Sequence, residues 1–189
     1  MPRTSKKTSS RTRASSRTRQ DAIALLKSDH RQVEDWFEQF EKARKDERKQ
    51  ELADKICQAL IVHTQIEEEI LYPAFIEATR DEDTHHEAIV EHDGAKNLIA
   101  QIQASSPKDE YFDAKVKVLS EMIKHHVKEE EQRGGMFAEA KDSNMDLDAL
   151  GEQLLARKQE LMAKTSRDTG KSNGKFSLAR VVRGLATNT

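Results

Sequence analysis

The 189-residue chain is highly charged: 35% of its residues are Asp, Glu, Lys or Arg, 35% are hydrophobic, and the formal net charge is −2. This composition is typical of a small helical protein with a narrow apolar seam and argues against a mixed α/β fold. The single cysteine, Cys57, excludes an intrachain disulfide and suits a reducing compartment. No apolar run approaches the roughly 20 residues needed to cross a bilayer, so we expect a cytoplasmic protein without a membrane partner.

The charges are distributed unevenly along the chain. Residues 1–20 carry seven Lys/Arg and no acid, residues 165–189 carry five Lys/Arg and one acid, and the segment between carries 20 bases and 33 acids. We therefore predict a disordered basic N-terminal tail at 1–20, an acidic folded domain at 21–164 and a basic C-terminal tail at 165–189. The N-terminal tail has no aromatic side chain to stack on bases, so no nucleic-acid partner is expected beyond a weak contact by this tail.

The spacing of apolar residues predicts helices throughout the central segment, because these residues recur at alternating steps of three and four. Four long helices are predicted, over residues 21–44, 46–78, 84–104 and 109–131. A fifth helix, over 146–164, carries leucines at the same spacing and is expected to pack on the outside of the other four. Short connections between long helices indicate an all-α, up-down four-helix bundle with an extra C-terminal helix.

A histidine–carboxylate pattern occurs twice in the chain. His63 is followed four residues later by Glu67, and His126 by Glu130. Each copy is preceded by a further histidine, His30 at a distance of 33 residues and His92 at a distance of 34. That distance corresponds to one helix, a turn and part of the returning helix. The pattern therefore predicts a helical hairpin used twice, with one histidine on each helix of the bundle.

The predicted seam of the bundle gathers residue types that bind metals. Neutral imidazoles are good ligands for iron, zinc or manganese, and a carboxylate can bridge two cations. Two buried glutamates without a cation would carry uncompensated charge at high cost. We therefore predict a two-metal site inside the bundle. Its candidate ligands are His30, His63, Glu67, His92, His126 and Glu130.

The fourth helix offers two adjacent histidines, and only one of them can point inward, because neighbouring helix positions are about 100° apart. Placing His126 opposite His63 pairs apolar residues of the two helices, whereas placing His125 there sets a glutamate opposite an alanine. We therefore expect His126 with Glu130 to face the site. His125 with Glu129 is the alternative register.

Several motifs resemble the hemerythrin-like cation-binding (HHE) domain family. They are the His-x-x-x-Glu-Glu element at His63, the Ile70-Leu71-Tyr72-Pro73 run after it, Asp29-His30-Arg31, and Glu91-His92-Asp93. The resemblance covers residues 21–164 and implies a four-helix bundle around an oxo- or hydroxo-bridged non-haem di-iron centre. Carried over, it implies that His30 and His63 ligate one iron, that His92 and His126 ligate the other, and that Glu67 and Glu130 bridge the two.

The chain departs from the family pattern at two places. The oxygen carriers of the family have a second histidine one turn before the third-helix ligand, where this chain has Ala88. After the fourth helix, Gln132-Arg133-Gly134-Gly135 precedes Met136-Phe137, and no proline follows. Four histidines instead of five imply more open coordination for water, peroxide or another ligand.

Three functions are compatible with these residues. The first is binding of oxygen, peroxide or nitric oxide at the iron, or sensing of iron and redox state. The second is enzymatic, namely peroxide breakdown or ferrous oxidation at the open iron position. The third is a helical interaction module in which the histidines are incidental, and the six-residue pattern disfavours it. His85 and His86, before the third helix, are interpreted as surface or capping residues.

Overall fold

The computed structural model describes residues 20–169, with side chains to residue 164, and every regular element among them is helical. In chain order these are α1 (Ala22–Lys42), α2 (Asp46–Ile66), a π-helical turn (Glu67–Leu71), α3 (Tyr72–Thr79), α4 (Glu82–Gln103), α5 (Phe112–Glu131), α6 (Met136–Asp142) and α7 (Leu147–Thr169). The predicted all-α fold is confirmed. The basic tails lie almost entirely outside the described residues. No helix in the described part is long and apolar enough to span a membrane.

The bundle consists of two helical hairpins. In the first hairpin α1 packs against α2, and in the second α4 packs against α5. Asp21 caps the first helix, since its Oδ1 accepts a hydrogen bond from the Ala24 amide at 2.7 Å. Asp81 caps α4 in the same way through the Thr84 amide at 3.1 Å. These caps set where the first helix of each hairpin, α1 or α4, begins.

The long helix predicted over 46–78 is interrupted by the π-helical turn. Pro73 has no amide hydrogen, and its ring would clash with the carbonyl four residues earlier in a regular helix. The backbone widens just before it, and the Tyr72 amide donates to the Glu67 carbonyl, five residues back. Turns of this kind are found mostly as short insertions, often at functional sites.

Two apolar clusters fill the interior. The first includes Phe37, Leu52, Ile56, Ile99 and Leu119. The second includes Leu26, Ile66, Tyr72, Phe75 and Leu154. Burial of each such side chain contributes about 1.5–3 kcal/mol. A buried polar layer lies between the two clusters. It consists of histidines and glutamates from α1, from α2 and the turn after it, from α4 and from α5.

A short helix that the sequence analysis did not predict, α6, follows α5. Gly134 adopts a φ of +80°, and a Cβ on Gly135 would lie only 2.0 Å from the Glu129 carbonyl oxygen. Both glycines are thus required by the sharp turn. The turn directs α6 back onto the bundle, where the Phe137 ring stacks on the His30 ring with centroids 5.8 Å apart.

The last helix, α7, packs along α1 and α2, as expected for the predicted fifth helix. Its Arg157 guanidinium donates to Glu69 at 2.6 and 3.0 Å. Its Lys158 forms an ion pair with Asp29, which lies next to the polar layer. In this way α7 closes one side of the bundle beside the candidate site.

Candidate metal centre

The polar layer brings together all six predicted ligands, and each of them is buried. One group, comprising His30, His63, Glu67 and Glu130, has one ligand atom from each residue within 4.8 Å of the others. A second group, comprising Glu67, His92 and His126, meets the same criterion. Glu67 belongs to both groups. The role of these six side chains as ligands is still a prediction, but the geometry suits it.

The four imidazoles form two pairs, and each pair spans one hairpin. His30 Nε2 lies 3.0 Å from His63 Nε2, and His92 Nε2 lies 3.2 Å from His126 Nε2. The pairs are the same as those implied by the family resemblance. Each pair thus presents two nitrogen atoms to one point inside the bundle.

The two buried carboxylates each reach across both pairs. Glu67 places Oε1 at 3.2 Å from His63 Nε2 and Oε2 at 3.4 Å from His92 Nε2. Glu130 places Oε2 at 3.4 Å from His30 Nε2 and Oε1 at 3.6 Å from His126 Nε2. Each glutamate therefore has one oxygen beside each histidine pair, which is the arrangement of a bridging carboxylate.

The residues present fit two cations. All four carboxylate oxygens of Glu67 and Glu130 are buried without a hydrogen-bond donor, and such groups are costly unless a cation neutralises them. Ligand atoms held at about 2.1 Å and at right angles around one cation lie about 3.0 Å apart. The distances between the nitrogen and oxygen atoms in the layer, 3.0–3.6 Å, are close to that value.

The electrostatics of the layer also favour positive charge. Burial, together with repulsion from Glu67, raises the pKa of Glu130. Burial lowers the pKa of His63, but the nearby charges of Glu67 and Asp29 outweigh that effect and raise it to about 10. Protons on these groups would offset the carboxylate charge in the absence of metal. A bound cation would replace them, so metal binding should release protons.

A ring of outer carboxylates supports the imidazoles from behind. Three Nδ1–H groups donate to a carboxylate oxygen: His30 to Glu131 at 2.8 Å, His92 to Glu68 at 2.8 Å and His126 to Glu91 at 2.7 Å. His63 Nδ1 lies farther away, 3.6 Å from Asp29 Oδ2. In every case the carboxylate is on the neighbouring helical segment around the bundle. A proton held on Nδ1 leaves Nε2 free to bind metal.

Basic side chains hold this ring in place at the surface. Lys96 donates to both oxygens of Glu68 at 2.6 and 2.8 Å. Arg31 donates to Glu131 at 2.5 Å, and Lys27 lies 3.2 Å from the same carboxylate. Glu68 and Glu131 are therefore oriented from both sides, by a histidine inside and by a basic side chain outside.

Tyr72 is a site residue that the sequence analysis missed. It is fully buried, and its hydroxyl donates to His92 Nε2 at 3.1 Å, so it faces the same space as Glu67. In a regular helix a residue five positions after Glu67 would point about 140° away from it. The π-helical turn restores the alignment of Glu67 and Tyr72. The signal in the sequence was Pro73, which disfavours a regular helix at this point.

The register of α5 follows the expectation for His126. Its side chain is only 6% exposed and points into the layer, whereas the His125 side chain is 60% exposed and lies near Glu91 and Glu129. Of the other two histidines, His86 is exposed. His85 is half-buried, with its ring edge-on to Tyr72 at 5.7 Å.

Known proteins of similar sequence and fold identify the family of the chain. The sequence model of the family described as the hemerythrin HHE cation-binding domain matches residues 21–134, which are more than half of the chain. A DNA nickase from Nostoc sp. is 31% identical over 107 residues, which are 57% of this chain but only 30% of that protein. The crystal structure of a hemerythrin HHE cation-binding domain-containing protein from Mycobacterium kansasii has the same fold, with a TM-score of 0.69 and 20% identity, over 82% of this chain and 95% of that one. The chain belongs to the hemerythrin HHE cation-binding domain family.

Proposed function

We propose that this protein is a non-haem di-iron protein that binds oxygen, peroxide or nitric oxide, or responds to iron and redox state through the same centre. His30 and His63 would hold one iron, His92 and His126 the other, and Glu67 and Glu130 would bridge them. The observation that carries the proposal is the position of each glutamate, whose two oxygens lie beside different histidine pairs. A cytoplasmic location is part of the same proposal.

When bound, two irons would supply one-electron redox chemistry and open coordination positions for a small ligand. The chain supplies the surroundings. The outer carboxylates keep a proton on Nδ1 of His30, His92 and His126, and so orient these rings. The Tyr72 hydroxyl is placed to donate a hydrogen bond into the space beside His92 Nε2.

A small cavity beside the four histidines supports a small ligand. It has a volume of about 20 Å³, and a cavity needs roughly 10–15 Å³ to hold one water molecule. Its non-histidine walls are largely apolar, with Val33, Leu60, Ile123 and Val127 among them. A diatomic molecule or a peroxide matches this size, whereas an organic substrate does not. The apolar lining limits the access of water on this side of the layer.

The test is optical titration of the iron-loaded protein. Nitric oxide added to the diferrous protein, and oxygen or peroxide added separately, should each change the charge-transfer absorption with saturation near one ligand per centre. Leu60→Trp should fill the cavity and abolish the response while leaving the iron content intact. A loaded protein whose spectrum is unaffected by all three ligands would refute ligand binding.

The second candidate is catalytic turnover, namely peroxide breakdown or ferrous oxidation. The buried Tyr72 hydroxyl favours it, because a phenol beside a metal ligand can donate a proton. Sustained consumption of peroxide or ferrous iron over many cycles, lost in Tyr72→Phe at unchanged iron content, would support this candidate. DNA nicking is not part of either proposal, because the matched region makes up only 30% of the Nostoc protein.

A further inference from the structure

Outside the polar layer, three side chains form another group of metal-binding type. Glu91, His125 and Glu129 each place one ligand atom within 4.8 Å of the others. His125 Nε2 lies 3.4 Å from Glu91 Oε1 and 3.3 Å from Glu129 Oε1. This outer trio is accessible, since the His125 side chain is 60% exposed. One imidazole and two carboxylates suit a divalent first-row cation such as ferrous iron.

The outer trio shares a residue with the support of the inner layer. Glu91 faces His125 with Oε1, while its other oxygen, Oε2, accepts the 2.7 Å hydrogen bond from His126 Nδ1. A single carboxylate therefore lies between an exposed histidine and a predicted ligand. At this point only the Glu91 side chain separates the protein surface from the candidate metal layer.

A cleft of about 130 Å³ runs from the two carboxylates of the trio, Glu91 and Glu129, to the inner ligand Glu130, and His125 lies just outside its lining. Its lining includes Glu87, Glu91, Glu129 and Glu130, and no Lys or Arg is among the described residues that form it. His126 also lines it. A cleft lined by charge of one sign concentrates ions of the opposite sign and accelerates their arrival.

The inner end of this cleft is formed by a buried carboxylate that has no hydrogen-bond partner. Glu130 is only 3% exposed, and both of its carboxylate oxygens lack a hydrogen-bond donor. The small cavity that suits a diatomic ligand also borders the four histidines, but most of its other walls are apolar side chains such as Val33 and Leu60. The two spaces thus differ in charge: four glutamates line the cleft, which suits a cation, whereas Asp29 is the one carboxylate among the described residues beside the small cavity, which suits a neutral molecule.

We propose that the outer trio is a separate divalent-cation site, which captures ferrous iron and passes it along the acidic cleft to the inner centre. The inference rests on the proposed function, because it requires an inner centre to receive the metal. The outer trio holds the cation weakly, since only three protein ligands at an accessible surface contact it. Glu130 and His126 then bind it at the buried end.

The test is the rate at which metal enters the full-length protein. Metal-free protein, shown by circular dichroism to be folded, is mixed with Co²⁺, and the visible absorption of the inner centre is followed in time. His125→Ala and Glu129→Gln should each slow loading by about tenfold, while the metal that stays bound after removal of excess and weakly held Co²⁺ equals that of the wild type. Matched controls are His86→Ala and Glu38→Gln, which alter exposed residues outside the trio and should load at the wild-type rate.

The rate at which an added chelator removes iron from the loaded protein gives a second comparison, which needs no metal-free protein. His125→Ala and Glu129→Gln should release iron more slowly than the wild type and the two controls. Equal rates in all five proteins at full metal content would overturn the inference. So would equal slowing in the controls, because that would show a general charge effect. A lower final metal content in His125→Ala would place His125 in the inner centre and also overturn it. Failure of the wild-type protein to bind two metals would instead count against the proposed function.

Discussion

The Glu91 carboxylate accepts a 2.7 Å hydrogen bond from His126 Nδ1, and this contact ties α4 to α5 at the level of the metal layer. It holds the His126 ring with Nε2 directed inward, toward His92 and Glu130. His125 can only point outward in this register. The contact therefore separates the roles of two histidines that are adjacent in the sequence.

The first prediction follows from that register. His126→Ala should lose most of the metal from the second site, because no neighbouring side chain can replace a ligand in a packed layer. His125→Ala should retain the full equilibrium content, because its ring lies outside the layer. Metal analysis of both variants after reconstitution checks this. The reverse ranking would show that the α5 register is wrong by one residue.

The second prediction concerns the outer carboxylates. Glu68→Gln should weaken metal binding about 10–100-fold, because the neutral amide orients His92 Nδ1 less strongly than the carboxylate does. Glu69→Gln is the matched control, since Glu69 pairs with Arg157 on α7 and makes no contact with a histidine of the layer. Competition with a chelator of known affinity measures both variants. If Glu68→Gln and the wild type bound metal with equal affinity, the outer carboxylates would not support the metal-binding histidines.

The third prediction is that metal stabilises the fold. A ligand that binds only the native state adds about 2.7 kcal/mol at a free concentration of about 100 times its Kd. For a chain of this size that corresponds to roughly 5–10 °C in Tm. Chelation with confirmed metal loss should therefore lower the Tm by that order. An unchanged Tm would show that the metal does not bind in the core.

A variant of the same experiment isolates the carboxylate repulsion. At pH 9, above the pKa of about 8 to which burial and repulsion from Glu67 raise Glu130, Glu130→Gln removes one of the two buried charges that face each other in the metal-free protein. Metal-free Glu130→Gln should melt above metal-free wild type, and metal should raise its Tm much less. Glu129→Gln, on the neighbouring face, should behave like wild type in both states.

The fourth prediction concerns the cysteine. Cys57 is 1% exposed, and burial raises the pKa of its thiol to about 12. At pH 8 it should not react with a thiol reagent in the native protein and should react completely in denaturant, because the thiolate is the reactive form. Reaction of the native protein at the rate of the unfolded chain would contradict the described core.

Much of this arrangement could be predicted from the sequence, because helical periodicity places His30, His63, His92 and His126 on the inward faces of four helices. The i,i+4 spacing of Glu67 and Glu130 was equally informative, since a regular helix extends past both histidines far enough to align them. Periodicity also separated His126 from His125, because their positions differ by about 100°.

Other features depend on local departures from a regular helix or on contacts between helices. Tyr72 faces the layer only because the turn before Pro73 is widened, and a regular helical wheel turns it away. Glu68 and Glu91 are adjacent in sequence to predicted ligands, yet each supports a histidine on another helix. Such pairings depend on how the helices pack around the bundle. The short α6 was missed because seven residues carry too little periodicity.

The most direct test of the central claim is the number of irons bound per chain. The intact protein, reconstituted anaerobically with ferrous iron and freed of excess metal, should contain about two irons per chain, because four imidazoles and two bridging carboxylates suit two cations. Glu67→Ala should lower that number, because Glu67 is shared by both groups of candidate ligands. A content of two in the wild type supports the di-iron centre. A content that never exceeds one, in protein shown to be folded, would contradict it.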